Sequence, residues 1–345
     1  MACASAQSVL LDEVHDAYSS IPAPADLYSG PFTKEEIPAL FNSMPNTALG
    51  PDSIPYIFWK SLNFHILSYN KEHPQSPLAP FWDSFLALAN NVKSNGSSHC
   101  GFKDANVSLF FKKGNPTLTA NYHPISSMNM DCKLYTNLIN NHLSPWAVLK
   151  IHNDQKGFVP GCLITDHTCL ASMVAHLAKA TNTDGYIISL DQAKAYDRVD
   201  QHWLLHILSS MGIDPDLRLL IKDLTHNCHS HVCINGGYSP FFTLLHGIHQ
   251  SNPLSCLLFN FSIEPLSMCL CCAVQGFSVL GLPPIKDMFY TDDVNLFLNK
   301  DEPVPPIMEC LDSTSFAIGS KFNHDKTDVK PIGTLPFQHA CFNLR

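Results

Sequence analysis

The chain has 345 residues, 45% of them hydrophobic and 15% charged, which is ample for a core and, at about 150 residues per domain, for two domains. Its formal charge of −9 argues mildly against a nucleic-acid partner, and Arg198, Arg218 and Arg345 are its arginines. Met1 to Asp16 carries Asp12 and Glu13 and no basic stretch, so it does not read as a secretory signal, and no apolar run approaches the ~20 residues of a membrane span. The 13 cysteines then read as reduced thiols. The expected location is intracellular, cytoplasmic or nuclear, without a membrane partner.

In chain order, residues 1–30 read as a weakly ordered lead-in containing Pro22 and Pro24. Thr33 and Glu36 form a capping box stapled by Phe32, and Ile37, Leu40, Phe41 and Met44 follow at helical spacing. Gly50 to Pro55 is a turn. Phe81 to Leu88 reads as a helix with Phe81, Phe85 and Leu88 on one face. Ala105 to Phe111 reads as a strand running into the basic tip Lys112-Lys113-Gly114-Asn115-Pro116. Asn121 to Ser126 is extended around Pro124. Asp131 to Leu143 is helical, with Leu134, Leu138 and Leu143 inward.

Gly185 to Leu190 reads as an apolar strand ending on Asp191. A helix follows through Val199, Trp203, Leu204, Ile207, Leu208 and Met211, with Gly212 as its stop. Asp214-Pro215 caps a second helix, and Asn252-Pro253 opens a long apolar one to about Cys272. Between them, Val232 to Leu244 forms a hairpin around Asn235-Gly236. Asp287 to Leu298 is another hairpin, with Val294, Leu296 and Leu298 on one face. Val304 to Ile318 is helical and a last strand follows Asn323. Mixed strands, hairpins and helices make this half α+β, a sheet with helices packed on one face.

Asp is a poor strand residue and a good turn residue, and the adjacent carboxylates Asp292 and Asp293 repel each other unless a cation sits there. If the strand ending on Asp191 neighbours this hairpin, three carboxylates converge on one sheet edge. Such a set suits a two-metal site for phosphoryl transfer.

Taken in order, Gly50 to Pro55, Lys112 to Pro116, Asn121 to Ser126, Asp154 to Gly161, Ser189 to Val199, Gly247 to Ser255, Tyr290 to Asp293 and Gly319 to Thr327 resemble the motifs of the reverse transcriptase of non-LTR (LINE-type) retrotransposons. Gly50-Pro51-Asp52-Ser53-Ile54-Pro55 resembles G-P-D-G-I-P. Lys112 to Pro116 and Asn121-Tyr122-His123-Pro124-Ile125-Ser126 resemble K-K-G-D-P and N-Y-R-P-I-S. Asp154-Gln155-Lys156-Gly157-Phe158-Val159-Pro160-Gly161 resembles D-Q-x-G-F-x-P-G. Ser189 to Val199 resembles S-L-D-x-x-K-A-F-D-R-V, and Gly247 to Ser255 resembles G-V-R-Q-G-C-P-L-S. Tyr290-Thr291-Asp292-Asp293 resembles Y-A-D-D, and Gly319 to Thr327 resembles G-L-K-x-N-x-x-K-T.

The resemblance implies a right-hand polymerase with an N-terminal extension and fingers over 31–184 and a ferredoxin-like antiparallel palm, helices on one face, over 185–330. Residues 331–345 would be a truncated tail and the thumb largely absent. It implies RNA-directed DNA polymerisation on an RNA template and DNA primer with dNTPs. Asp191, Asp292 and Asp293 would hold two Mg²⁺ (or Mn²⁺). Tyr196 would exclude a ribose 2′-hydroxyl. Gln250 would line the nucleotide pocket. Lys112 or Lys113 and Lys326 would meet the triphosphate, and Asp197 and Arg198 would be structural.

The chain departs from the family pattern at His123, His249 and Cys162 where arginine is usual, at Ser251-Asn252 for Gly-Cys, and at Thr291 for alanine. Histidine does not replace a bidentate arginine–phosphate contact. Arg→His, Arg→Cys, Gly→Ser and Ala→Thr each arise from a single C·G→T·A transition, which suggests a decayed element with weak nucleic-acid affinity. An inactive remnant is therefore the alternative. A zinc-binding protein built on His226, Cys228, His229, His231 and Cys233 ranks below it. Cys269 to Cys272 reads as buried thiols.

Overall fold

The structure, a computed structural model, describes residues 4–19, 30–43, 48–75, 80–99, 101–279, 281–323 and 326–334. In chain order its elements are α1 (Ala4–Tyr18), α2 (Glu36–Ser43), α3 (Tyr56–Glu72), α4 (Pro80–Asn95), β1 (Ala105–Phe111), β2 (Tyr122–Met128), α5 (Met130–Lys150) and α6 (Ile164–Thr181). There follow β3 (Gly185–Leu190), α7 (Ala195–Arg198), α8 (Gln201–Ser210), α9 (Pro215–Thr225), β4 (His229–Ile234), β5 (Gly237–Tyr238) and β6 (Phe242–Thr243). The last are α10 (Ser255–Ala273), β7 (Asp287–Tyr290), β8 (Asp293–Asn299), α11 (Pro305–Ile318) and β9 (Asp328–Ile332). The chain divides into two compact units, each discontinuous: Met1–Ala23, Ser144–Gly212 and Cys256–Arg345, and Pro24–Leu143 with Ile213–Ser255.

The first unit is built on an antiparallel sheet of order β7-β8-β3-β9. Ile188 and Leu190 of β3 and Val294, Leu296 and Leu298 of β8 are buried, as alternation requires. On the opposite face, Met288, Phe297 and Ile332 form a core with Val174 and Ala178 of α6 and with Phe277. Residues 4–18, expected to be weakly ordered, form α1 because Leu10, Val14 and Tyr18 recur every fourth residue and are buried. The Tyr18 hydroxyl donates to Glu264, and the Lys150 ammonium donates to the Tyr18 carbonyl at 2.8 Å. Helix α10 has 19 residues and a mean hydropathy of 1.6, long and apolar enough to cross a membrane, yet 67% of that stretch is buried inside the protein. Cys269 of α10 and Cys310 of α11 pair as a disulfide, whereas Cys271 is half-buried and Cys272 exposed. The expectation of buried free thiols there is thereby corrected: the polar side of α10 turns its last cysteines outward.

The second unit holds the sheet β2-β1-β4-β5, with β6 on β4. β1 pairs antiparallel with β2 and parallel with β4. Asn235 and Gly236 turn the β4–β5 hairpin at φ of 50° and 79°, the left-handed conformations that a two-residue turn requires. One arm of the capping box is present, the Thr33 N–H donating to Glu36 at 2.6 Å, while Met44 lies outside the described residues. α4 buries Trp82, Leu86, Ala89 and Val92 rather than Leu88, which is 49% exposed. Its buried face is thus rotated one residue from the expected one. Indole and alanine both fit a close helix contact, and a reading by large aliphatic residues alone overlooks them.

Candidate active site

β3 and β8 run antiparallel with Ser189 opposite Asn295 and Leu190 opposite Val294. One step further, Asp191 falls opposite Asp293, the first residue of β8, and Asp292 precedes it in the turn from β7. Sequence-distant carboxylates therefore meet at one end of one sheet. Burial first, and then the charges of Asp292 and Asp191, push the Asp293 carboxyl above the usual range. Asp191 is held from two sides: its carbonyl accepts the Asn323 N–H at 2.8 Å, and its carboxylate pairs with the Lys326 ammonium at 3.0 Å. The Thr291 hydroxyl lies 2.7 Å from the Tyr290 carbonyl and 2.9 Å from the Asp292 carboxylate. With Asp191 turned to Lys326 and Asp292 to Thr291, the three carboxylates do not gather within 4.8 Å of one another.

Tyr196 is half-buried at the start of α7, and its ring stacks on Phe259 of α10 at 4.8 Å and 21°. Burial raises its hydroxyl pKa, reinforced by Cys256, which hydrogen-bonds it, and by the charge of Asp292. The phenol is thus neutral and lies in the field of the carboxylate turn. Arg198 Nε donates to the Gly319 carbonyl at 3.2 Å, a structural contact.

Three residues of the turn's support had no role assigned from sequence. Gln155 is buried, and its Oε1 accepts the Thr291 N–H at 2.9 Å and the Gly157 N–H at 2.8 Å. The Gly157 carbonyl accepts from Asn260 of α10 at 2.7 Å. A Cβ on Gly157 would lie 2.6 Å from the Thr291 nitrogen, so only glycine lets the loop approach so closely. Backbone bonds complete the seam: Phe289 N–H to the Asp154 carbonyl and Lys156 N–H to the Phe289 carbonyl, both 2.9 Å. The signal was present in Asp154-Gln155-Lys156-Gly157, but a motif letter carries no partner.

The remaining site candidates lie in the second unit. Lys112 and Lys113 are exposed at the β1–β2 tip, where the Lys112 N–H donates to the Asn121 carbonyl at 2.9 Å. His123 pairs with Phe110 across that ladder. Gln250 is half-buried after His249, which is 6% exposed with neither ring nitrogen hydrogen-bonded among the described residues. Burial lowers the His249 pKa to about 4, so the imidazole is neutral at pH 7. The His226 to Cys233 stretch does not converge. His231 stacks on Tyr238 and Phe241, while the buried Cys228 thiol donates to the Leu224 carbonyl.

The sequence matches the family described as reverse transcriptase (RNA-dependent DNA polymerase) over residues 111–334. It is similar to an uncharacterized 149 kDa protein of transposon TX1 from Xenopus laevis, 29% identical over 261 residues, covering 74% of this chain and 20% of that protein. It is also similar to retrovirus-related Pol polyproteins from type-1 retrotransposable element R2. The one from Popillia japonica is 26% identical over 136 residues, 39% of this chain and 22% of that protein. The one from Nasonia vitripennis is 22% identical over 272 residues, 79% of this chain and 24% of that protein. The chain thus spans about a fifth to a quarter of the length of these relatives.

Proposed function

The chain belongs to the reverse transcriptase (RNA-dependent DNA polymerase) family, of the non-LTR retrotransposon kind, and from that premise we propose that the β7-β8-β3-β9 sheet is the palm of an RNA-directed DNA polymerase. The observation that carries the reading is the β3–β8 register, which sets Asp191 against Asp293 with Asp292 beside it. Asp191, Asp292 and Asp293 would hold divalent ions, with Mg²⁺ suited to an all-oxygen donor set. When bound, such ions supply Lewis acidity toward a primer 3′-hydroxyl and neutralise a triphosphate. A pair of such ions would divide the three carboxylates between them and would not require all three at one point.

Tyr196, wedged on Phe259, offers a rigid ring beneath the incoming sugar, which excludes a 2′-hydroxyl by bulk. Lys326, now on Asp191, is the ammonium available to a triphosphate arriving at those carboxylates. The roles of Lys112, Lys113, His123 and Gln250 rest on the resemblance alone: phosphate contact for the first three and the nucleotide pocket for Gln250. An RNA template, a DNA primer and dNTPs are the proposed partners.

A second reading, an inactive domain that keeps the fold, is favoured by one observation. His249 is neutral and buried where the family pattern has a cation, so it contributes no charge toward phosphate. Magnesium-dependent dTTP incorporation on poly-rA/oligo-dT separates the two. Incorporation lost in Asp292→Asn and Asp191→Ala supports catalysis. A folded wild-type chain that incorporates nothing supports the second reading.

A further inference from the structure

We propose that His152, Asp154 and Asp287 form a second metal site, apart from the aspartates of the polymerase reading, that takes a divalent transition-metal ion of the zinc class. Their donor atoms lie within 4.8 Å of one another. The His152 Nδ1 and Asp154 Oδ2 atoms are 3.3 Å apart, close to the edge of about 3.4 Å between ligands of a tetrahedral ion bonded at about 2.1 Å. One imidazole and two carboxylates suit zinc better than magnesium, which favours oxygen donors.

The independent sign of a ligand is Asp287. It opens β7, is 2% exposed, and neither of its carboxylate oxygens has a hydrogen-bond partner among the described residues. An unpaired carboxylate in such a place is costly. The neighbouring Lys286 ammonium is committed to the Cys271 carbonyl. Glu264, whose charge also reaches Asp287, accepts the His152 N–H at 3.1 Å. That bond fixes the histidine backbone. His152 and Asp154 side chains are 30% and 45% exposed, so one side of the cluster is open for an ion to enter.

The rival explanation is a proton on Asp287, whose carboxyl burial and the nearby Asp154 charge push up to about 7. An ion would instead tie the 152–157 loop to β7, the seam along which Gln155 reaches the Thr291 N–H.

The test is equilibrium dialysis of the full chain against Zn²⁺ alone, without nucleotide or template, comparing wild type with Asp154→Asn, His152→Ala and Asp287→Asn. Cysteine-bound zinc and any zinc on Asp191, Asp292 and Asp293 is common to all four and cancels. The expected result is a loss of about one equivalent of zinc in each variant, and a rise in thermal midpoint on adding Zn²⁺ that wild type shows and the variants lack. Asp154 and His152 are partly exposed, so their substitution leaves the core intact should Asp287→Asn fail to fold. Equal zinc content in wild type and the Asp154 and His152 variants, with no difference in midpoint, overturns the site in favour of a shared proton. Neither outcome depends on polymerase activity.

Discussion

The side chain of Gln155 accepts the backbone N–H of Thr291 at 2.9 Å and thereby holds the turn that presents Asp292 and Asp293. The same oxygen accepts the Gly157 N–H. Gln155→Leu leaves two buried donors unpaired, an expected loss of about 3 kcal/mol. Gln155→Glu keeps an acceptor in place and retains most of the stability. Urea denaturation of the three proteins checks this; equal midpoints for wild type and Gln155→Leu contradict it.

Two departures from the family pattern occupy left-handed backbone. Ser53, where the pattern has glycine, has φ 58°, and Thr291, where it has alanine, has φ 55°. A side chain there is strained, most of all a β-branched one. Ser53→Gly is expected to stabilise the chain by about 1 kcal/mol, whereas Thr291→Ala keeps its Cβ, relieves only the β-branched part of the strain and is expected to be close to neutral. Ser53 is exposed, so no packing offsets its gain. Thr291 gives up its contacts with Tyr290 and Asp292, and its alanine variant frees the Asp292 oxygen. Differential scanning calorimetry reads both, and a drop in midpoint for Ser53→Gly refutes the strain argument.

The palm strands were legible because alternation and the turn residues agree: Gly185 to Leu190 and the hairpin from Asp287 stand at the expected positions. Their pairing was legible only as a condition, since register is a tertiary property. α6 was not read at all, because Val174 and Ala178 are its buried residues and two small side chains make a faint periodic signal. The lead-in helix α1 was hidden because Pro22 and Pro24 and their Ser and Ala neighbours drew the whole segment into a weakly ordered reading. Gln155 was quoted as a letter and missed as a support, because its partner Thr291 lies in a turn 136 residues further along the chain. Asp287 was read simply as a strand start, and nothing in its neighbours announces the burial that makes it unusual.

Lys326 and Asp191 form an ion pair of 3.0 Å, with side chains 60% and 33% exposed. Such a pair contributes at most about 1 kcal/mol to folding. Lys326→Met is therefore expected to leave the denaturation midpoint nearly unchanged. If the ammonium meets the triphosphate, the same variant raises the KM for dTTP about tenfold or more, since a charge-assisted contact of about 1.5–3 kcal/mol is lost. A changed midpoint with unchanged KM assigns Lys326 to structure instead.

His249 links folding to acid. Its folded pKa of about 4 lies below the ordinary histidine value, so between those two values the unfolded chain binds a proton that the folded chain refuses. Stability from this group is complete above about pH 6.5 and drains away as pH falls toward 4, on the order of 3 kcal/mol in total. His249→Gln does not titrate, so the difference between variant and wild type in unfolding free energy must change across that window. Both ring nitrogens are buried without a hydrogen bond among the described residues, so a shape-matched apolar residue such as Leu is expected to hold stability at pH 7. Urea titrations at pH 4.5 and 7.5 measure the two effects, and a pH-independent difference between wild type and His249→Gln rules out a buried neutral imidazole at this position.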